Sequence, residues 1–440
     1  MSPVLAFFES KITENLTSSG LGTAALITFA LAYVFVILED VIKLRKSKPM
    51  IIASGILWVI VALAHGEDAE VNERVMHHVA DFAELFLFLM VAMAYVHAMT
   101  ERRIFMRLNA VLVGSGAGLR TLFWATGALA FCLSPVADNM TTALVLGAVV
   151  VAVGHGNPKF IATGCANVVV AANAGGAFSP FGDITTLMVW QAGKVETLRF
   201  LEIFLPSLLS WLVPAIAMHF SLPKTKPDPV EEEVKLGEGW LMVILLFLAT
   251  ILTATLFHIY LHLPPFMGMM MGLGYYMLYG YWCRFRSEKF EIAQPVDALR
   301  SVAHVEWDTL LFFFGVIMCV GGLAELGFLN SASHLFYDKL GAFWANVSVG
   351  GLSAVVDNVP VMFAVLGMDP DMNSSEWLLV TLTAGIGGSL LSVGSAAGVA
   401  LMGVAHGKYT FISHLKWTPA IGLGFAMGVW LLRVMHHGMN

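Results

Sequence analysis

Charge is scarce in this sequence. Asp, Glu, Lys and Arg together make up 12% of the 440 residues, where soluble domains carry about 25%. That leaves no room for a water-soluble domain of any size. Cysteine is scarce too. Cys132, Cys165, Cys283 and Cys319 all lie in or beside apolar runs and form no CxxC pair, which excludes a disulfide framework and a thiolate metal site; small core residues is their expected role. GxxxxGK[ST], HExxH and GxSxG are absent, so P-loop, zincin and hydrolase chemistry have no foothold, and no enzyme activity, cofactor or nucleic-acid partner is expected. Met1 to Gly20 has no basic stretch ahead of an apolar core, so no cleavable signal is expected there.

What the sequence does have is hydrocarbon. Hydrophobic residues make up 58% of it and the mean hydropathy is +0.77. Apolar runs recur along the whole length, each near the about 20 residues that cross a bilayer core. The expected class is an all-α polytopic membrane protein with the lipid bilayer as its main partner. Spans are expected at 22–40, 49–65, 79–98, 198–220, 239–261, 265–282, 307–327 and 417–434. Less apolar arms are expected at 105–120 and 328–341. The net charge of −7 says little, because charge sits in short loops.

Two stretches repeat one pattern. Ser134-Pro135-Val136-Ala137-Asp138-Asn139-Met140 and Ser353-Ala354-Val355-Val356-Asp357-Asn358-Val359 each set Asp-Asn between apolar runs, and each follows a Phe-Trp-Ala triplet. Each is followed by a second break, Gly175-Gly176 to Asp183 and Gly387-Gly388 to Ser395. Chain breaks are expected at Ser134-Pro135, at 175–182, in 342–367 and in 377–405. The halves match element for element: three spans, an arm, a broken hairpin, a broken crossing and a last span. A hairpin that enters and leaves on one side crosses nothing, so each half makes five crossings and the second half is inverted relative to the first. The expected organisation is an N-terminal segment 1–21, a first inverted repeat 22–220, a cytoplasmic linker 221–238, a second repeat 239–435 and a tail 436–440. Lys43–Lys48, Arg102–Arg107, Lys224–Lys235 and Arg284–Lys289 fall on one side of this arrangement, and the acidic loops 66–73 and 369–376 on the other. The basic side is then cytoplasmic.

Aspartate in hydrocarbon costs roughly 2.5–3.5 kcal/mol on insertion scales, so its repeated use at breaks points to function. Unwound backbone at membrane depth persists only where protein buries it or where it lines a cavity. Asp138, Asp183 and Asp357, with Asn139, Thr141, Thr142, Asn173, Thr185, Thr186 and Asn358, supply carboxylate, amide and hydroxyl oxygens and no sulfur, a set suited to hard cations. The three aspartates are the expected holders of Na⁺ or Li⁺. A buried carboxylate favours its neutral form, which lets proton and cation compete for one group. The opposing reading makes these residues N-caps of half-helices. A neutral cap would serve that purpose without desolvating a charge, so the opposing reading fits the asparagines and Thr141 better than the aspartates. Ser134, Ser353, Ser392 and Ser395 are weaker candidates; Ser389, Ser392 and Ser395 also read as small residues for close helix packing. Asp81 and Glu84, three residues apart, read as a proton entry path or as interfacial groups paired with His77 and His78. Glu39 and Asp40 adjoin a basic loop and read as its partners, while Glu325, near a span end, reads as a solvated cap. His65, His97, His155 and His406 read as interfacial, although histidine titrates where a pH switch would need it.

These motifs resemble the ion transporter superfamily, and most closely its NhaD-type sodium/proton antiporters. The resemblance covers nearly all of 22–435 and rests on Ser134 to Leu144, on Gly175-Gly176-Ala177-Phe178-Ser179-Pro180-Phe181-Gly182-Asp183-Ile184-Thr185-Thr186, on Asp357-Asn358-Val359-Pro360 and on Lys46-Ser47-Lys48-Pro49. The dicarboxylate branch carries Ser-Asn-Thr at its hairpin tips. Asp138-Asn139-Met140 and Asp357-Asn358-Val359 depart from it, and would set like charge against a dianion. The resemblance implies exchange of Na⁺ or Li⁺ for H⁺ in a bacterial cytoplasmic membrane, in the service of pH homeostasis. It also implies a scaffold domain, a moving transport domain and a homodimer. The rival expectations are a carboxylate or arsenite carrier of the same fold, and a channel or non-transporting membrane scaffold.

Overall fold

A computed structural model describes residues 16–65, 70–114, 116–154, 157–223, 234–290, 297–405 and 407–436. Most of the N-terminal segment, the linker residues 224–233, the tail 437–440, His155 and His406 therefore lie outside the described residues. Every regular element among those described is helical: one 3-10 stretch, Thr197–Ile203, one π-helical stretch, His334–Asp338, and otherwise α-helices. In chain order they are α1 Gly20–Ile37, α2 Glu39–Ile42, α3 Ser47–His65, α4 Glu70–Glu101, α5 Ile104–Gly114, α6 Leu119–Ala137, α7 Asn139–Val153, α8 Pro158–Gly176, α9 Ile184–Gln191, α10 Phe204–Ser221, α11 Trp240–Leu261, α12 Pro265–Phe290, α13 Ala298–Ala303, α14 Trp307–Glu325, α15 Phe328–Ser333, α16 Lys339–Ser353, α17 Asn358–Met368, α18 Ser374–Gly387, α19 Ala396–Val404, α20 Phe411–Leu415 and α21 Thr418–Met435. Among the described residues, eight helical stretches are long and apolar enough to cross a membrane, so the chain is a polytopic membrane protein. The expected span at 265–282 is helical but is not one of the eight. Its tyrosines and glycines lower its hydropathy below that of its neighbours.

The helices gather into two bundles. In one, α3 lies along α14 and α1, while α4 packs on α12, α14 and α11. In the other, α6 and α7 pack on α8, α16 on α18, and α10 on α21. Helix α5 leads from the first bundle into α6, and α15 leads into α16. Helix α7 meets α19, and α17 meets α9, so the helix pairs α6–α7 and α16–α17 interlock with the pairs α8–α9 and α18–α19. Glycine permits this. A Cβ on Gly175 would stand 2.3 Å from the carbonyl oxygen of Phe131, and one on Gly387 would stand 2.2 Å from that of Gly350. Hairpin backbone and break backbone touch in both halves, where no side chain fits.

Three expectations need correction. The first hairpin does not break at Ser134-Pro135: α6 runs through Pro135 to Ala137, and the turn comes at Asp138. Proline removes one donor in the final turn, a small loss at a helix about to end. The carbonyl it leaves without its helical partner, that of Phe131, is the one Gly175 packs against. Glu325 is no solvated cap, because Arg74 reaches it at 2.9 Å. Cys132 is exposed, whereas Cys165 and Cys319 are buried.

Candidate functional site

Asp183 is where the starts of α7, α9 and α17 meet. It is the N-cap of α9 and accepts the Thr185 N–H at 3.1 Å. Asn139, first residue of α7, donates its amide to the same carboxylate at 2.7 Å. Asn358, first residue of α17, donates to both of its oxygens at 3.2 and 3.0 Å. Asn139 also donates to Asn173 at 3.1 Å, and Asn173 donates to the hydroxyls of Ser389 and Ser395 at 2.8 and 3.0 Å. One network thus joins both Asp-Asn motifs and both Gly-rich breaks. All of its members are buried.

The Thr142 hydroxyl is buried without a hydrogen-bond partner. The Thr185 hydroxyl stands beside the Asp183 carboxylate but makes no well-formed hydrogen bond. Both keep unused donor and acceptor capacity, and that of Thr185 lies next to a carboxylate, as a ligand for a small cation should. The Thr186 proton is engaged, because its hydroxyl donates to the carbonyls of Ser179 and Asp183 at 2.8 and 2.6 Å and closes the loop of the break, while its lone pairs remain free to accept.

The hairpin tips differ. Asp138 has φ +55° and ψ 160°, a region of about 1–3 kcal/mol strain for a residue with a Cβ. Its carboxylate accepts the Thr141 N–H at 2.8 Å and the Thr141 hydroxyl at 2.7 Å. Asp357 has an ordinary φ of −49°. It accepts the Val359 N–H at 3.3 Å and lies 3.4 Å from the Lys46 ammonium. The serines that precede the two tips staple each hairpin to its crossing: Ser134 donates to the Ala172 carbonyl at 2.6 Å and Ser353 to that of Ala384 at 2.7 Å.

A cavity of about 760 Å³, counted out to its open mouth, is lined by Asp138, Asn139, Asp183, Asp357 and Asn358. Thr141, Thr142, Asn173, Thr185, Thr186, Ser134, Ser353, Ser392 and Ser395 stand behind that wall or away from it. Ser395 is the N-cap of α19, and Ser392 faces the Met402 sulfur at 3.6 Å. The opposite wall includes Phe88 and Val96 of α4, Phe247 of α11, and Thr309 and Phe313 of α14. All of these lie in the helix halves that lead to Arg102, Lys235 and the Lys43–Lys48 loop, so the cavity is on the basic-loop side. Among the described residues, no three His, Cys, Asp or Glu side chains cluster tightly enough to hold an ion alone. The carboxylates are spaced apart by carboxamides.

Asp81 and Glu84 lie elsewhere, on α4 towards its opposite end. Asp81 is 3.8 Å from His77 and 3.9 Å from His78, and His78 is 3.8 Å from Glu325. His65 bonds its own helix at Val61, and His97 stacks on His304 with centroids 4.7 Å apart. Glu39 accepts the Lys46 backbone N–H at 3.4 Å.

Sequence reasoning missed three residues near the site. Lys46 stands in the sequence as a basic loop charge and as part of the Lys46-Ser47-Lys48-Pro49 stretch, with nothing to tie it to Asp357. Glu306, N-cap of α14, acts electrostatically on Asp138, and burial holds its own carboxyl above the ordinary range. His414 is fully buried and bonds the Ser389 carbonyl through Nε2 at 2.8 Å and the Tyr409 hydroxyl through Nδ1 at 2.7 Å. It thereby caps a carbonyl freed by the second break, and burial pushes its imidazole below the usual value. A histidine two residues before a lysine and close to an apolar span carries no sequence signal of that role.

Comparison with known proteins follows the same lines. The family described as citrate transporter matches residues 12–385. The Na⁺/H⁺ antiporter NhaD of Vibrio cholerae serotype O1 is 52% identical over 96% of this chain and 94% of that protein. The Na⁺/H⁺ antiporter NhaD of Alkalimonas amylolytica is 48% identical over 98% and 95%. Sodium/proton antiporter 1 of Arabidopsis thaliana is 28% identical over 97% of this chain and 74% of that protein.

Proposed function

We infer that this chain, which belongs to the NhaD-type sodium/proton antiporters within the family described as citrate transporters, exchanges Na⁺ for H⁺ across the membrane it spans. It is a transporter and not an enzyme. The observation that carries the site assignment is the convergence of Asn139 and Asn358 on Asp183. In our reading Asp183 and Asp138 take up either a proton or the cation, Asp357 supplies charge at the second tip, and the amides of Asn139, Asn173 and Asn358 hold the carboxylate in place. The Thr185 and Thr142 hydroxyls complete the cation's shell. Thr141, Thr186, Ser134, Ser353 and Ser395 support that arrangement through backbone and cap bonds, Ser392 stands in the second break against Met402, and Asp81 and Glu84 stand on the proton's route from the opposite face. When protons outnumber cations in the exchange, the membrane potential assists by about 2.3 kcal/mol per net charge per 100 mV.

The finer architecture belongs to the same proposal: inverted repeats at 22–220 and 239–435 joined by the linker 221–238, with α6–α7 and α16–α17 as re-entrant hairpins. What supports it is the reciprocal packing of α7 on α19 and α17 on α9, together with the matched glycine contacts at Gly175 and Gly387. Bacterial relatives support an inner-membrane location. Li⁺ as a second substrate and a homodimer are proposed on the resemblance alone. A carboxylate anion is disfavoured, because the cavity wall presents three carboxylates.

The test is proton flux in inverted vesicles, read as dequenching of a pH-sensitive dye, with Na⁺, Li⁺, K⁺ and Ca²⁺ compared side by side. Dequenching by Na⁺ is expected. Uptake of citrate without any Na⁺-driven proton flux would overturn the reading.

A further inference from the structure

The two tip aspartates hold equivalent places in sequence but keep different company. Asp138 turns both oxygens to Thr141, and the charge that acts on it from the other bundle, Glu306, has its own sign. Asp357 meets an opposite charge. The Lys46 ammonium is 3.4 Å from its carboxylate and 4.4 Å from the centre of the Phe312 ring on α14. The two side chains are only 17% and 13% exposed. The Tyr33 hydroxyl on α1 accepts the Asp357 N–H at 3.2 Å. Two polar links therefore run from the α1–α3–α14 bundle to a single residue of the second hairpin. Other contacts along this seam are aromatic: Phe88 stacks on Phe181 at 5.9 Å, and Trp190 meets His258 edge-on at 4.6 Å. Ring contacts tolerate sliding. An ion pair shielded from water does not, because parting it leaves two poorly solvated charges.

We propose that Lys46 is a positioning residue that latches the second hairpin to the scaffold bundle in the conformation whose cavity lies on the basic-loop side, and that exchange requires the Lys46–Asp357 pair to part. Lys46 precedes α3 at the end of that bundle where the basic loop sits, so its side chain reaches inward along Phe312 to the tip. A movement of the hairpins away from α14 separates the pair and closes the cavity on that side. The latch holds a conformation and binds no cargo.

The experiment reads accessibility first, which needs no turnover and so stands apart from the Na⁺/H⁺ reading. Cys132, Cys165, Cys283 and Cys319 are replaced, and Met93→Cys, on the cavity wall and on α4, which carries neither partner of the pair, is labelled with a membrane-impermeant thiol reagent from the face bearing Lys43–Lys48. Lys46→Met is expected to slow labelling by about fivefold or more, the lower end of usual coupling energies. Asp357→Asn should slow it similarly, the double variant no further, and Lys46→Arg by less than about twofold. Labelling of Lys46→Met at the parent rate, or singles whose effects add, would overturn the latch. Should Lys46→Met fail to insert, Asp357→Asn against Lys46→Arg makes the same comparison. In exchange assays Lys46→Met should change the maximal rate and leave the apparent KM for Na⁺ within about twofold. A KM shift with the rate unchanged would place Lys46 in the cation site and overturn the proposal.

Discussion

Replacing Asp138 with Asn separates charge from structure in a way that the same change at Asp183 does not. Asp138 accepts chiefly from Thr141, through one backbone N–H at 2.8 Å and one hydroxyl at 2.7 Å, with the Met140 N–H beside them. An asparagine in the same rotamer keeps its oxygen on the N–H and turns its NH₂ to the hydroxyl, which rotates to accept. Both hydrogen bonds survive, and only their charge assistance is lost, about 1 kcal/mol. Asparagine also tolerates positive φ better than most residues. At Asp183 the donors of Asn139, Asn358 and Thr185 all point at the carboxylate, so an incoming NH₂ faces another donor. Asn358 can flip its amide to relieve this, but Asn139 cannot without losing its bond to Asn173. The cost there is about 1–3 kcal/mol for an unsatisfied buried donor. Asp138→Asn should therefore insert and melt within a few degrees of the parent, by roughly 2–4 °C per kcal/mol, while Na⁺-driven dequenching is lost. Asp183→Asn should lose exchange and melt lower. Normal exchange by Asp138→Asn would refute the reasoning outright, leaving Asp138 a cap. Equal destabilisation by the two variants would refute the hydrogen-bond account.

Thr185→Val removes a hydroxyl that stands beside Asp183 unused. It should leave stability nearly unchanged and weaken apparent Na⁺ affinity by roughly fivefold, about 1 kcal/mol, with proton coupling intact; transport KM across Na⁺ concentrations checks it. The buried His414 carries a pH dependence whose sign follows from its lowered value. Between that value and the ordinary value of about 6.5, the unfolded chain binds the proton and the folded chain does not. Stability therefore rises with pH through that window and is lost as pH falls below it. Melting temperatures across this acid range should show the slope, and His414→Gln should flatten it. An equal slope in both proteins would remove His414 as the cause.

Most of the spans and the Gly-rich breaks could be read from hydropathy and from residues that interrupt it, and the tip aspartates could be read because charge within hydrocarbon is costly wherever it falls. Partnerships across the chain could not. Lys46 lies 311 positions from Asp357, and the same lysine serves equally well as a loop charge until the bundle brings its side chain inward. Glu325 looked solvated because its partner Arg74 sits on another helix 251 positions away. The break at Asp138 instead of Pro135 was hidden because proline is tolerated one turn before a helix stops. The sequence also cannot tell Thr185 from Thr186, neighbours of one type. Only geometry shows that one hydroxyl is spent on the Ser179 and Asp183 carbonyls and the other is not.

The glycine contacts at Gly175 and Gly387 bear on how the breaks move. Irregular connections usually exchange their amide hydrogens quickly, since they are solvated and loosely packed. Here each break is pressed backbone to backbone against a hairpin helix, and its own amides are tied, Gly182 to Ser179 at 3.1 Å and Leu390 to Gly387 at 2.9 Å. Deuterium should enter these unwound stretches as slowly as it enters the surrounding helices. These stretches without regular structure are then among the stiffest parts of the chain, and each is held to its neighbouring helix as one piece.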